Sequence, residues 1–126
     1  MSAAKLPRNT TRQAESPLYG RISQLLNRIT GVVIVAFVLV HTAAQAVLHA
    51  PMFASAKASA AWLPVMQSQN WVHALLFFSI VFHTVYGLRL LAADFGWTAG
   101  YRFTLWFTLS LSAVFAAREV LRYVGV

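Results

Sequence analysis

The sequence contains no cysteine among its 126 residues. Disulfide bonds, iron–sulfur ligation and thiol chemistry by this chain are therefore excluded. Acidic residues are also scarce, with 3 Asp and Glu against 10 Lys and Arg, and charged residues make up only 10% of the chain. A soluble domain carries about 25% charged residues, so the composition lies outside the soluble class. A phosphate-binding glycine loop and an internal repeat are missing as well.

The net charge of +7 would raise the question of nucleic-acid binding in a soluble protein. Here most basic residues lie before or between long apolar runs, where they suit topology signals and contacts with anionic headgroups. We therefore predict that the chain is embedded in a lipid bilayer and binds no nucleic acid.

Hydrophobic residues make up 59% of the chain and are concentrated in three runs. The runs cover residues 29–50, 71–88 and 103–117, and none of them contains Asp, Glu, Lys or Arg. A helix needs about 20 residues to cross a bilayer, so the short third run spans only if the arginines after it snorkel. β-barrel alternation is absent. The sequence predicts an all-α membrane protein with three transmembrane helices, at about residues 27–49, 70–92 and 103–122.

The charges around these runs predict the topology. Residues 1–20 are polar and contain two prolines, so we interpret them as a cytoplasmic N-terminal segment before a three-helix domain, 21–126. Five basic residues precede the first span, whereas the loop after it contains only Lys57. The positive-inside rule then places the N-terminus in the cytoplasm. We expect the cytoplasmic (inner) membrane of a bacterium in preference to the mitochondrial inner membrane.

Two histidines lie well inside the apolar runs, His41 in the first and His83 in the second. Ionisable groups at membrane depth are costly and usually face a bundle interior or a cofactor. Neutral imidazole is a good axial ligand for haem iron. Gly87, one turn after His83, would leave room for a porphyrin, and Arg89 would supply a cation for its propionates.

The alternative is that each histidine bonds a polar group on a neighbouring helix. For His83 we favour the ligand interpretation, and for His41 both interpretations stay open. Ser23, Gln24 and Arg28 cluster at the cytoplasmic end of the first span. This cluster is either a plain topology anchor, which the residues alone favour, or a polar pocket for a quinone carbonyl.

Two segments resemble the cytochrome b membrane subunit of succinate dehydrogenase and fumarate reductase. The segment NRITG, residues 27–31, is similar to the family's H-R-[IV]-[ST]-G at the start of its first helix. The segment HTVYGLRLLAADFG, residues 83–96, resembles the family's H-x-x-x-G-[IL]-R-H-x-x-x-D-x-G. Asn27 and Leu90 stand where the family has histidine. The resemblance extends over about residues 16–126.

The resemblance implies roles for particular residues. The family's histidine at the position of His83 is an axial ligand of haem b, and its arginine at the position of Arg28 lies by the quinone site and a propionate. The family's quinone-site serine lies one turn before that arginine, where this chain has Gln24, with Ser23 adjacent. A histidine at the position of His41 resembles the branches with two haems, in which it would serve the outer one.

The resemblance also implies a place in a complex. The chain would be the membrane-anchor cytochrome b subunit of succinate:quinone oxidoreductase, respiratory complex II, acting in electron transport and the tricarboxylic acid cycle. It would form half of a helical bundle that a second anchor subunit completes, beneath a flavoprotein subunit and an iron–sulfur subunit. Its cofactors would be one or two haems b, and its quinone either ubiquinone or menaquinone. The alternatives are a haem b membrane subunit of another dehydrogenase and a haem-free structural anchor.

Overall fold

The computed structural model describes residues 17–97 and 100–125, and nearly all of them are helical. The helices are α1 (Pro17–His49), α2 (Lys57–Ala60), α3 (Trp62–Gln67), α4 (Asn70–Asp94) and α5 (Tyr101–Val124), with a 3-10 helix at Pro51–Ala56. Within these two described ranges there is no strand. The predicted all-α class is confirmed.

Three of these helices are long and apolar enough to cross a membrane. α1, α4 and α5 contain 33, 25 and 24 residues, with mean hydropathies of 2.2, 1.7 and 1.3. At about 1.5 Å per residue each is longer than the roughly 30 Å of a hydrocarbon core. The prediction of three transmembrane helices is confirmed, and the third is longer than its apolar run because the helix continues through Arg118, Glu119 and Arg122.

α1 begins at Pro17, inside the predicted N-terminal segment and ten residues before the predicted span. Proline is tolerated in the first turn of a helix because the amide hydrogen it lacks would have no partner there. Residues 17–20 therefore belong to the helix, and residues 1–16 of the predicted segment lie outside the described residues.

Consecutive long helices are antiparallel, so α1 and α5 have the same direction, and the turn from α4 toward α5 is formed by Gly96. Its φ of 84° is in the left-handed region that favours glycine. The amide of Gly96 donates to the carbonyl of Ala93 at 2.9 Å, and that of Trp97 donates to Ala92 at 3.0 Å. This pattern ends a helix and reverses the chain. Pro17, Asp94 and Tyr101 consequently lie at one end of the bundle, called the N-terminal end below.

The core is a small cluster of Phe82 and Tyr86 from α4 and Leu105 from α5. Besides Ala44 and Ala60, the other buried positions among the described residues carry small hydroxyl side chains: Ser23, Thr30, Ser79, Thr104, Thr108 and Ser112. Small residues let helix backbones approach closely, which drives association in a membrane where hydrophobic burial gives little. Some of these hydroxyls bond within their own helix, as the hydroxyl of Ser112 does to the carbonyl of Thr108 at 2.7 Å.

α1 is the least covered of the long helices. Its buried residues are Ser23, Thr30 and Ala44, and most of its large apolar side chains are exposed. An apolar exterior of this kind suits lipid or the helices of another subunit. The flank of the bundle beside α1 is therefore the one that a neighbouring chain could cover.

We expect Phe82→Ala to destabilise the bundle and Phe103→Ala to leave it nearly unchanged. Phe82 is fully buried, whereas Phe103 is 70% exposed. Lipid is as apolar as the core, so the cost comes mainly from the cavity, and roughly 100 Å³ of lost volume corresponds to about 2 kcal/mol. Thermal unfolding of the two variants in the same detergent measures the difference. Equal midpoints would contradict this core.

Candidate functional site

His83 projects from α4 toward α1. Its Nδ1 lies 3.1 Å from the backbone carbonyl oxygen of Asn27. A carbonyl oxygen only accepts, so the Nδ1–H of His83 is the donor and the Nε2 keeps its lone pair. This bond fixes the tautomer of His83 and leaves one ring nitrogen available as a ligand.

Gly31 lies directly beneath the His83 ring. A Cβ atom at Gly31 would lie 3.0 Å from Cε1 and 3.3 Å from Nδ1 of His83, closer than carbon atoms normally pack. The two sequence segments that carry the family resemblance, residues 27–31 and 83–96, therefore contact each other through one imidazole.

Gly87 lies on the same flank of α4 as His83, because a separation of four residues turns a helix by only about 40° beyond one full turn. A Cβ at Gly87 would have no atom within 4 Å. In addition, the side-chain Oδ1 of Asn27 is buried and accepts no hydrogen bond from the described residues. Three features together fit one axial side of a haem. The Nδ1 of His83 is already hydrogen-bonded, the surface at Gly87 is open, and the buried Oδ1 of Asn27 has no partner among the described residues.

Arg89 is directed elsewhere. Six residues after His83, it is turned by about 240° around α4. Its guanidinium carbon lies 3.9 Å from the centre of the Tyr101 ring and 5.7 Å from that of Tyr86. The structure thus brings His83 and Gly87 together and places Arg89 on the side of α4 that faces α5. A role for Arg89 beside a haem propionate stays a prediction.

A cleft of about 370 Å³ opens between α4 and α5 on the Arg89 side. Its walls are mainly aromatic and aliphatic, and its polar contributions come from Arg89 and Thr104. Of the predicted site residues, Arg89 is the one that lines this cleft, so the cleft is separate from the imidazole of His83.

The predicted quinone residues are divided between two faces of α1. Ser23 is fully buried, its hydroxyl donates to the carbonyl of Tyr19 at 2.8 Å, and its side chain lies beside Tyr86. Gln24 and Arg28, one turn apart, are exposed. Gln24 and Arg28 can therefore meet a ligand from outside the bundle, whereas Ser23 faces the interior.

His41 is exposed on α1, and its Nδ1 lies 3.0 Å from the side-chain Oε1 of Gln67 in α3. The Gln67 amide oxygen accepts, so the Nε2 of His41 also keeps its lone pair. The ring stacks on Phe37 with centres 5.7 Å apart. His41 lies ten residues beyond Gly31, about 15 Å along α1. Sequence reasoning missed Gln67, for which the only signal is its position as a polar residue after an apolar segment.

His73, at the opposite end of the bundle, bonds a neighbouring helix. Its Nδ1 lies 3.1 Å from the Tyr123 hydroxyl, and the two rings stack with centres 5.8 Å apart. A hydroxyl can both donate and accept, so this contact, unlike those of His83 and His41 with carbonyl oxygens, does not determine which ring nitrogen of His73 carries the hydrogen.

One of three comparisons with known proteins gives a match. The family model described as succinate dehydrogenase/fumarate reductase transmembrane subunit matches residues 7–117. The match includes both contacting segments, all of α1 and α4 and most of α5. No curated protein and no solved structure matches the chain. Because the matched region is most of the sequence, the chain belongs to the family of succinate dehydrogenase/fumarate reductase transmembrane subunits.

Proposed function

We propose that this chain is the cytochrome b membrane anchor of a succinate:quinone oxidoreductase, and that His83 is an axial ligand of haem b. The observation that carries the proposal is the bond from Nδ1 of His83 to the Asn27 carbonyl. A ligating histidine usually donates its other ring N–H to a carbonyl or carboxylate, which orients the ring and raises its basicity. A bound haem b would supply a one-electron redox centre at this position.

The chain offers His83 for one axial position, and we assign the opposite ligand to a second anchor subunit. His41 is about 15 Å further along α1, too far to oppose His83 across one porphyrin. The scarcely buried surface of α1 supports a partner on that flank. A second ligand from the partner leaves no open position for oxygen, which suits electron transfer.

Gln24 and Arg28 are the residues that we assign to the quinone. Both are exposed at the N-terminal end of α1, where a quinone ring could approach from lipid or from a subunit interface. The Arg28 guanidinium can donate hydrogen bonds to a quinone carbonyl oxygen, and these strengthen as the oxygen gains negative charge. The same contacts suit ubiquinone and menaquinone. A contribution from Ser23 stays a prediction, since its side chain is directed inward.

The remaining subunits follow from the same proposal. A flavoprotein subunit would carry out the dicarboxylate chemistry, and an iron–sulfur subunit would pass electrons to the quinone near Arg28. Both would dock at the N-terminal end of the bundle, where Arg21, Arg28, Arg89 and Arg102 lie. This excess of basic residues supports a cytoplasmic location for that end in a bacterial membrane.

Haem content tests the central assignment. We expect His83→Ala to remove haem b from an otherwise assembled complex, and His49→Ala to retain it. His49 is a matched control because it is an exposed histidine at the far end of α1. A reduced-minus-oxidised spectrum and a pyridine haemochrome assay on the purified complex measure the haem.

Two results would count against the assignment. An assembled wild-type complex without haem would leave a haem-free structural anchor. Haem in a complex that lacks the flavoprotein and oxidises another substrate would point to a different dehydrogenase.

A second haem is supported by one observation, the bond between His41 and Gln67. In both His41 and His83, Nδ1–H donates to a carbonyl oxygen, so Nε2 can act as a ligand. We expect His41→Ala to remove one of two haems and to leave the spectrum of the His83 haem in place. Potentiometric titration resolves the two centres, and an unchanged haem-to-protein ratio would make His41 a packing residue bonded to α3.

Quinone kinetics test Arg28. Loss of a hydrogen bond from a charged group costs about 1.5–3 kcal/mol, so we expect Arg28→Gln to raise the KM for quinone roughly 10- to 100-fold. Arg102→Gln removes the same charge from an exposed site at the same end of the bundle and should change KM little. Steady-state succinate:quinone reduction provides both values. Equal effects of the two variants would indicate a general charge effect.

A further inference from the structure

Gly31 occupies the point where α1 and the His83 ring meet. We propose that Gly31 is a positioning residue for the haem ligand, because its missing side chain allows the His83 imidazole to lie against α1 and so fixes the plane of the ring. This inference rests on the proposed role of His83 and extends it to a residue on another helix.

A Cβ at Gly31 would lie only 3.0 Å from Cε1 and 3.3 Å from Nδ1 of His83. An alanine there must displace either the ring or the helix by a few tenths of an ångström. The ring has little freedom to yield, since its Nδ1 is held by the carbonyl of Asn27, one turn before Gly31 on the same helix. Moving the ring off α1 therefore lengthens or bends that bond.

The carbonyl of Asn27 has capacity for this bond. Its oxygen carries two lone pairs, and the regular helix uses one for the amide of Gly31. The hydroxyl of Thr30 lies 3.1 Å from the same oxygen, but it is nearer to the carbonyl of Leu26, at 2.9 Å, and it can donate only once. The bond from His83 therefore shares the second lone pair only with the longer of the two contacts made by the Thr30 hydroxyl.

Gly31 differs in this respect from the other glycines of the long helices. A Cβ at Gly20 would lie 3.7 Å from the Tyr101 ring, an ordinary contact, and a Cβ at Gly87 would meet nothing within 4 Å. Among these three glycines, Gly31 is the one at which an added methyl group would press on the imidazole.

The expected consequence is electronic as well as steric. The orientation of an axial imidazole and the strength of its Nδ1–H bond both tune the iron. A weakened bond makes the imidazole less basic, which stabilises the reduced form of the metal. The haem midpoint potential should therefore rise when Gly31 is enlarged, and the g values of the oxidised haem should shift because the ring plane turns.

The test compares Gly31→Ala with Gly20→Ala in the whole complex. Both substitutions replace glycine by alanine within α1, so they change helix propensity alike. We expect both complexes to contain haem by the pyridine haemochrome assay. In Gly31→Ala the midpoint potential should be more positive and the electron paramagnetic resonance g values shifted, whereas Gly20→Ala should match wild type in both.

Each result decides the proposal. Unmoved g values and potential in a haem-containing Gly31→Ala complex would refute the inference and leave the proposed function intact. Absence of haem from wild type would refute both. If Gly31→Ala prevents assembly, Gly31→Ala combined with His83→Ala decides: restored assembly locates the clash at the imidazole and supports the inference, and continued failure overturns it.

Discussion

The hydrogen bond between His83 and the carbonyl of Asn27 joins α4 to α1, and the proposed haem site depends on it. At membrane depth there is no water to satisfy an imidazole, and an unpaired polar group is costly there. The bond solves that problem for one ring nitrogen only. It requires α1 and α4 to approach closely, which Gly31 permits, and it leaves the lone pair of the second ring nitrogen of His83 unused. The contact that satisfies one nitrogen of the imidazole at membrane depth is therefore also the one that the proposed haem ligation requires.

The polar side chains are distributed according to the same constraint. Several hydroxyl groups inside the bundle bond back to their own helix, as those of Ser23 and Ser112 do, whereas those of Ser79 and Thr108 have no partner among the described residues. The aromatic cluster around Phe82 holds the three long helices together. The side chains of His41 and Arg28, by contrast, are exposed, and that of His83 is half-buried between α1 and α4. Such a division suits a subunit whose interior supplies stability and whose outer flank completes a site with another chain.

Much of the fold could be predicted because its signals are local. Uncharged apolar runs are sufficient to identify three membrane helices, and the four-residue spacing of His83 and Gly87 is sufficient to place them on one flank. Helix geometry also predicts that Arg89 lies on a different side of α4. The sequence-based grouping of Arg89 with His83 and Gly87 did not take this into account. The bond from His41 to Gln67 could not be predicted, since it depends on the path of the connection between α1 and α4. Likewise, the opposite directions of Ser23 and Gln24 depend on which face of α1 is packed.

The hydrogen bond from His83 to the main chain of α1 also bears on Asn27, where this chain departs from the family pattern. The family has histidine at that position, yet the bond to His83 is made by the main-chain carbonyl of residue 27. A change of side chain at residue 27 therefore leaves the position of the His83 ring unchanged, provided that residue 31 stays small. What the change alters is the buried group beside the ring, where the amide oxygen of Asn27 now lies without a partner among the described residues. Gly31 and Asn27 thus have separable roles, the first in setting the position of His83 and the second in setting the polarity around it.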